Sequence, residues 1–396
     1  MAQNNVSAQF FRQPRYYSSF SCIGGSCPMS CCLIWRVDWT KSEIEKLKNA
    51  ECSDELRTLV DNSFMPLKDN NERFAIKMNG SRCPFLTEDN FCFIQRELGA
   101  EYLSHTCAVY PRHSEFSGGA VFNYCNLSCY QVMDTLCNDG ECMILENYRP
   151  RVKKDKKTYA NINTKALNHP EFNYRHQLFD FFYDIISDDS HSVETSIVLG
   201  ALAAQSLSKL ISSGAYNKIP DSLAAFKAQM KNPEQIRNIE NIKPNYEVKF
   251  RFLSELNKNV TESNIIEFIS EDGLISIDKY NEGMRRFCDD FAERPFAMRN
   301  IALNLLLELK MPFANLDYDL FENYCYYAAA FALIKLFAYA VYAVPNGSEF
   351  GFKTASAYVD RFFAHDNDSS DNFKKISDIL KELNFVSPAY LALIVK

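Results

Sequence analysis

Residues 324–344 read YCYYAAAFALIKLFAYAVYAV, an almost wholly apolar run. Its length approaches that of a membrane span. Lys335, however, lies near its centre, and a lone charge there is costly in lipid. The tyrosines Tyr324, Tyr326, Tyr327, Tyr339 and Tyr342 are scattered along the run rather than gathered at its ends. It therefore reads as the buried core helix of a soluble protein, apolar all round because it is surrounded all round. No membrane span is expected.

Outward from this run, almost every segment after residue 160 has helical periodicity. The predicted helices cover 170–187, 193–213, 220–230, 245–257, 261–270, 276–292, 296–311, 320–344, 353–364 and 371–384. The breaks fall at Pro220, Pro233, Pro244, Pro295, Pro312 and Pro345-Asn346-Gly347, where the backbone loses a donor or turns. The basic run 149–157 (RPRVKKDKK) reads as a solvated linker. It divides the chain into an N-terminal part, 1–150, and a helical domain, 151–396.

The N-terminal part has a different texture. Thr40 to Val60 looks helical, with Thr40 or Ser42 as N-cap and Ile44, Leu47, Leu56 and Leu59 on the apolar face. Ser114 to Asn126 holds Gly118-Gly119 between apolar flanks and suggests a short hairpin. Asn126 to Leu136 suggests a further helix carrying Cys129. The rest is irregular. The expected fold class is mostly α: an irregular Cys-rich metal-binding module with a short hairpin, followed by a multi-helix domain.

The chain has 396 residues, 47% hydrophobic and 23% charged, with a net charge of −7. That length buries a large core. The acidic balance argues against a general nucleic-acid binder. Met1 to Phe20 has no apolar signal region, so a cytoplasmic protein is expected. In that reducing compartment, clustered cysteines point to metal or redox chemistry rather than to structural disulfides.

Twelve of the 14 cysteines precede residue 143. Cys22, Cys27, Cys31 and Cys32 form Cys-x4-Cys-x3-Cys-Cys, and Cys83, Cys92, Cys107 and Cys129 follow on separate segments. Short spacings converge thiolates locally, and the distant cysteines close a site from other loops. Thiolate is a soft donor suited to zinc and to iron–sulfur clusters, and spacing does not separate the two. These eight are the candidate metal ligands. Cys52, Cys137, Cys142, Cys288 and Cys325 read instead as small buried apolar residues, and Cys125 falls in between. Cys27-x3-Cys31 opens the pattern of a radical-type cluster, but Ile34 stands where its third cysteine belongs, and that reading is rejected.

Other chemistry is sparse. There is no glycine-rich phosphate loop, no His-Glu-x2-His and no Gly-x-Ser-x-Gly. His105 and His113 could each serve as a metal ligand or general base, and are read chiefly as hydrogen-bonded loop residues. Arg112, in Tyr110-Pro111-Arg112, is the candidate to pair with a cofactor carboxylate. Trp35 and Trp39 read as packing anchors, and Tyr16, Tyr17 and Phe20 as shielding for the metal.

These motifs together resemble the flagellin lysine N-methylase (FliB) family. The resemblance rests on Tyr16-Tyr17-x2-Phe20-x-Cys22-x4-Cys27-x3-Cys31-Cys32-x2-Trp35, on Arg82-Cys83-Pro84-Phe85-Leu86 with Phe91-Cys92, on Leu103-x3-Cys107-x2-Tyr110-Pro111-Arg112, and on Leu127-Ser128-Cys129. It covers residues 14–136. It implies methyl transfer from S-adenosylmethionine to lysine side chains of flagellin, with a [4Fe-4S] centre or zinc in its place; the eight cysteines exceed the four ligands of one centre, so two centres, or one centre plus buried thiols, both stay open. Tyr130-Gln131 stand where the family pattern has Pro-Glu, so no role is carried over to that glutamate. Two rival readings remain at this point: a metal-binding adaptor without turnover, and an electron-transfer protein.

Overall fold

A computed structural model describes residues 10–33, 37–67, 70–117, 120–148, 169–260, 265–360, 363 and 369–396. The apolar run lies inside a single helix, Leu320–Ala343, whose most apolar window is buried throughout. Asp319 and Glu322 form a capping box at its start; Val344 turns extended before Pro345 and ends it. Lys335 is 5% exposed and lies 2.6 Å from Glu194, at the start of helix Val193–Ser212. Its ammonium also donates to the Val395 carbonyl at 2.9 Å. The one charge in the run is thus paired in a protein core. Among the described residues, Val193–Ser212 is the other helix long and apolar enough to cross a membrane, and 61% of its most apolar window is buried within the protein.

Around this axis pack helices Arg175–Ser187, Val193–Ser212, Tyr246–Val260, Ile277–Asp290, Ala297–Glu308, Glu349–Asp360, Ser369–Glu382 and Pro388–Val395. Two glycines allow close approaches to the central helix. A Cβ on Gly283 would lie 1.9 Å from the Tyr339 carbonyl oxygen, and one on Gly200 would lie 2.0 Å from the Tyr324 hydroxyl.

Most predicted helices form within a few residues of their expected bounds. The stretch 261–270 does not: Ile265–Ile269 is a 3-10 turn, and Ser270–Glu271 pairs as a strand with Leu274–Ile275. Residues 261–264 lie outside the described set. The cause is Asp272-Gly273, both at positive φ, a pair that closes a two-residue hairpin. Thr40 to Val60 is two helices, Lys41–Lys48 and Asp54–Asn62, because Ser53 opens a second N-cap. Helices Pro233–Glu240 and Pro388–Val395 were not expected. In both, proline occupies the first turn, where its missing N–H costs nothing.

The N-terminal part contains more regular β-structure than one hairpin. Strands β1 (Phe10–Pro14), β5 (Arg112–Ser117), β6 (Ala120–Cys125) and β7 (Leu145–Asn147) form a sheet in the order β5-β6-β1-β7. β5 and β6 are the expected hairpin, with Ser117 opposite Ala120; Gly118-Gly119 lies outside the described residues. β1 runs parallel to β6, with Phe11 opposite Val121. Strands β2 (Asp38–Thr40), β3 (Phe64–Leu67) and β4 (Asn70–Ile76) form a second sheet in the order β2-β4-β3.

Two cores result. A small one gathers Trp39, Leu47, Leu56, Val60, Phe85 and Ile94. The large one joins Tyr16, Phe122, Leu136 and Met143 to the helices after residue 170. β6 is buried on both faces, with Phe122 against Phe179 at 4.5 Å. The basic run 149–157 and Trp35 lie outside the described residues.

Candidate functional site

The eight candidate cysteines sit on turns, at helix starts and, for Cys107, within a short helix. A 3-10 turn, Gly24–Ser26, separates Cys22 from Cys27, and a second, Cys31–Leu33, carries the cysteine pair. The Cys83 amide donates to the Cys32 carbonyl at 2.8 Å, which docks the Arg82–Leu86 loop on that turn. Leu86 and Cys92 are joined by a β-bridge, and Cys92 stands at the N-cap of helix Phe93–Leu98. Cys107 lies in the short helix His105–Val109, held by Ser104 as N-cap. Cys129 is the N-cap of helix Tyr130–Asn138, which starts four residues later than expected.

The fold brings these segments together. The thiols of Cys31 and Cys83 hydrogen-bond to Cys32, and these contacts hold the Cys32 thiol well below the usual range. The same hydrogen bonds, followed by burial, push Cys31 and Cys83 up. Cys107 and Cys129 interact electrostatically with Cys31, and Cys22 and Cys27 with Cys129. Burial pushes both Cys107 and Cys129 up to about 12. Backbone amides favour the thiolates of several candidates, among them Phe85 at Cys83, Gln95 and Ile94 at Cys92, and Val132 and Gln131 at Cys129.

That donor chemistry fits a soft metal centre, where N–H bonds to sulfur tune the thiolates. Closed ligand geometry is a separate matter. Among the described residues, no three histidine, cysteine or carboxylate side chains converge as a metal-binding group.

Arg112 lies on β5. Its Nη2 donates to the Phe20 carbonyl at 2.6 Å, and the guanidinium lies over the Phe20 ring at 4.8 Å. It thereby anchors the segment that leads into Cys22. His113 stacks on Tyr124, and the His105 amide donates to Glu43. Tyr16 is buried in the large core, and Trp39 in the small one. Cys137, Cys142 and Cys325 are buried as expected; Cys52 is only half-buried. Cys288, also expected to be buried, is exposed: Phe287 and Phe291 take the core-facing positions of its helix and turn position 288 outward.

Sequence reasoning missed the residues that hold the Cys129 loop from below. Glu308 and Asp360 are 2% and 1% exposed and hydrogen-bonded to each other. Glu308 accepts from Asn126 Nδ2 and from the Leu127 amide at 3.2 Å. Asp360 accepts from the Ser128 amide at 2.9 Å. Beside them, Asn304 Nδ2 donates to the Cys125 carbonyl at 3.0 Å, and the Tyr16 hydroxyl donates to Asn304 Oδ1 at 2.6 Å. Burial, and then the charge of Asp360, raise the Glu308 carboxyl well above its ordinary range. The only sequence signal was an acid inside an apolar run, Leu305-Leu306-Leu307-Glu308-Leu309.

Residues 179–394 match the family described as the FliB lysine N-methylase C-terminal domain. The chain is 28% identical over 246 residues to a lysine-N-methylase of Salmonella typhimurium and to one of Salmonella choleraesuis. That match covers 60% of this chain and 58% of each relative, so it spans little more than half their length. The chain is also 34% identical over 136 residues to the flagellar biosynthetic protein FliU of Salmonella muenchen, covering 34% of this chain and 80% of that protein. No solved structure matches the chain.

Proposed function

The chain belongs to the FliB lysine N-methylase C-terminal domain family, and from that premise we propose that it is a protein-lysine N-methyltransferase acting on flagellin in the cytoplasm. The observation that carries this reading is the family match itself. The matched segment also contains Asn304, Glu308 and Asp360, the residues on which the Cys125–Cys129 loop rests. The flagellar name of one relative supports a flagellar substrate.

S-adenosylmethionine, when bound, supplies a methyl group on a positively charged sulfur. The acceptor lysine must first lose its proton to a base, because an ammonium has no lone pair. With that donor bound, the neutral amine would accept its methyl group, the sulfur–carbon bond breaking and S-adenosylhomocysteine being the product. The protein's part is to desolvate that lysine, which favours the neutral amine, and to hold donor and acceptor in line. The ligands of a [4Fe-4S] centre, with zinc as the alternative, are proposed to come from among Cys22, Cys27, Cys31, Cys32, Cys83, Cys92, Cys107 and Cys129, four for each centre. The mutual contacts of Cys31, Cys32 and Cys83 and the amides at Cys83, Cys92 and Cys129 support this.

The test is direct. The protein is purified anaerobically, its iron, sulfide and zinc are measured, and flagellin and S-adenosylmethionine are added. Methyl-sized mass increments on flagellin lysine peptides are expected. Their absence with intact, metal-loaded protein overturns the reading.

A further inference from the structure

Among the described residues, six large apolar side chains are exposed, and three of them fall within ten residues: Phe268 at 45%, Leu274 at 75% and Ile277 at 45%. The other three, Ile23, Ile144 and Phe350, are far apart in the chain. Phe268 lies in the 3-10 turn Ile265–Ile269, Leu274 in the second strand of the two-residue hairpin, and Ile277 at the first position of helix Ile277–Asp290. The Ser276 amide donates to the Ile269 carbonyl at 2.7 Å, which draws together the backbone that carries Phe268 and Ile277.

This unit is firmly seated. Ile269 is fully buried, and Ile266 and Ile275 pack against the large core. The turn packs on the central helix Leu320–Ala343, and Lys279 Nζ donates to the Ser270 carbonyl at 2.9 Å. The core is served by this inward set. Phe268 and Leu274, each next in sequence to an inward isoleucine, point apolar surface at water from a fixed backbone. Exposed apolar surface with a polar rim marks an interaction site.

The rim is acidic. Glu267, Glu271, Asp272 and Asp278 are all exposed. Glu271 stands directly opposite Leu274 across the hairpin and lies 3.4 Å from Lys279, the one cation between residues 265 and 280. An apolar patch inside an acidic rim suits a segment with apolar residues on one side and lysines around them. An amphipathic helix has that arrangement.

Resting on the methyltransferase reading, we infer that this unit is a docking surface for a lysine-bearing amphipathic helix of the protein substrate, gripped by Phe268, Leu274 and Ile277 and ringed by Glu267, Asp272 and Asp278. A protein-lysine methyltransferase selects substrates that display lysines, and that is the charge this surface complements. None of the eight candidate cysteines lies on the unit, so it holds the substrate by a part other than the reacting lysine. Contacts of that kind lower KM and leave the chemical step unchanged.

Two readouts test this on the metal-loaded full chain. The first is fluorescence anisotropy with a labelled amphipathic helix of leucine and lysine, and with a leucine–glutamate helix of the same length. Wild type is expected to bind the glutamate version at least tenfold more weakly. Leu274→Ser is expected to weaken the lysine version about tenfold, the loss of one buried apolar side chain. Glu267→Gln combined with Asp272→Asn is expected to weaken it about threefold at low salt and to flatten its salt dependence. All three side chains are exposed, and asparagine suits the positive φ of position 272, so these variants should fold; a thermal melt checks it. The second readout is flagellin methylation. Leu274→Ser is expected to raise KM about tenfold with kcat within about twofold.

Equal binding of the lysine helix by wild type and Leu274→Ser overturns the inference, as does equal binding of the two helices by wild type. So does a wild type that is dimeric by light scattering beside a monomeric Leu274→Ser, because a second copy then covers the surface. If wild type methylates flagellin with the same KM as Leu274→Ser, the docking surface falls and the methyltransferase stands. If wild type binds the lysine helix through Leu274 and methylates no flagellin, the methyltransferase falls and the docking surface stands.

Discussion

Asp360 and Glu308 lie hydrogen-bonded to each other beneath the loop that leads into Cys129, each from the last turn of its own helix. Between them they accept the amides of Leu127 and Ser128 and the side chain of Asn126. The position of Cys129 is therefore set by two carboxyls that follow it by well over a hundred residues in the chain.

Glu308→Ala leaves buried donors of Asn126 and Leu127 unpaired and is expected to cost about 3 kcal/mol in chemical denaturation. The pH dependence has a definite sign. The folded-state Glu308 carboxyl lies above its ordinary 4.5, so its contribution is fully present below that value and is lost as pH rises towards the folded value. Wild type should lose stability relative to Glu308→Gln as the pH is raised from about 4.5 towards neutrality. A pH-independent difference between the two would refute the assignment.

Tyr16→Phe removes the hydroxyl that donates to Asn304 and accepts from the Cys125 amide at 2.9 Å. Both groups are buried, so a loss of about 2 kcal/mol is expected. A urea titration with an unchanged midpoint would show that water replaces the hydroxyl.

Gly283→Ala forces a methyl into the Tyr339 carbonyl, 1.9 Å away. Backbone cannot swing aside as a side chain does, so helix Ile277–Asp290 must lift off the central helix. A destabilisation of about 3 kcal/mol is expected from thermal melts, at the upper end of ordinary overpacking. Gly214→Ala is a useful contrast: it has no close neighbour, and its φ of +73° makes any cost local strain alone.

Lys249 is 1% exposed, with the Tyr280 hydroxyl 3.3 Å from its ammonium, and burial pushes its pKa down to about 7. The unfolded chain binds that proton up to 10.5, so stability should rise between about pH 7 and pH 10.5. Lys249→Met should flatten that rise and stabilise the protein at neutral pH. Guanidinium denaturation of both forms at pH 7 and pH 9 reads this out, and parallel curves would contradict it.

Cys107→Ala and Cys129→Ala are each expected to lower the metal content of anaerobically purified protein by at least half. Cys137→Ala, at a fully buried thiol outside the eight, should leave metal content unchanged and cost about 1 kcal/mol of stability. Equal metal loss in all three would mean that the effect is general unfolding.

Much of the helical body was legible because apolar spacing and proline breaks are local signals. Leu320–Ala343 was read from length, composition and Lys335 alone. The stretch 261–270 misled because its apolar residues mimic a helix, although Asp272-Gly273 was a visible hairpin signal. The eight cysteines were picked out by spacing, yet spacing says nothing about closure. That depends on bonds such as the Cys83 amide to Cys32, which joins segments about fifty residues apart.

By itself, the sequence determined most of the helices, the β5–β6 hairpin, the crowd of thiols and the family resemblance, because each rests on motifs local in the chain. The tertiary structure alone decided that Glu194 pairs with Lys335, that Glu308 and Asp360 hold the Cys129 loop, and that Cys288 is exposed. Each of these depends on which surfaces meet when helices bury their apolar faces. A lone buried charge is tolerable only where a distant partner arrives, and no local pattern encodes that arrival.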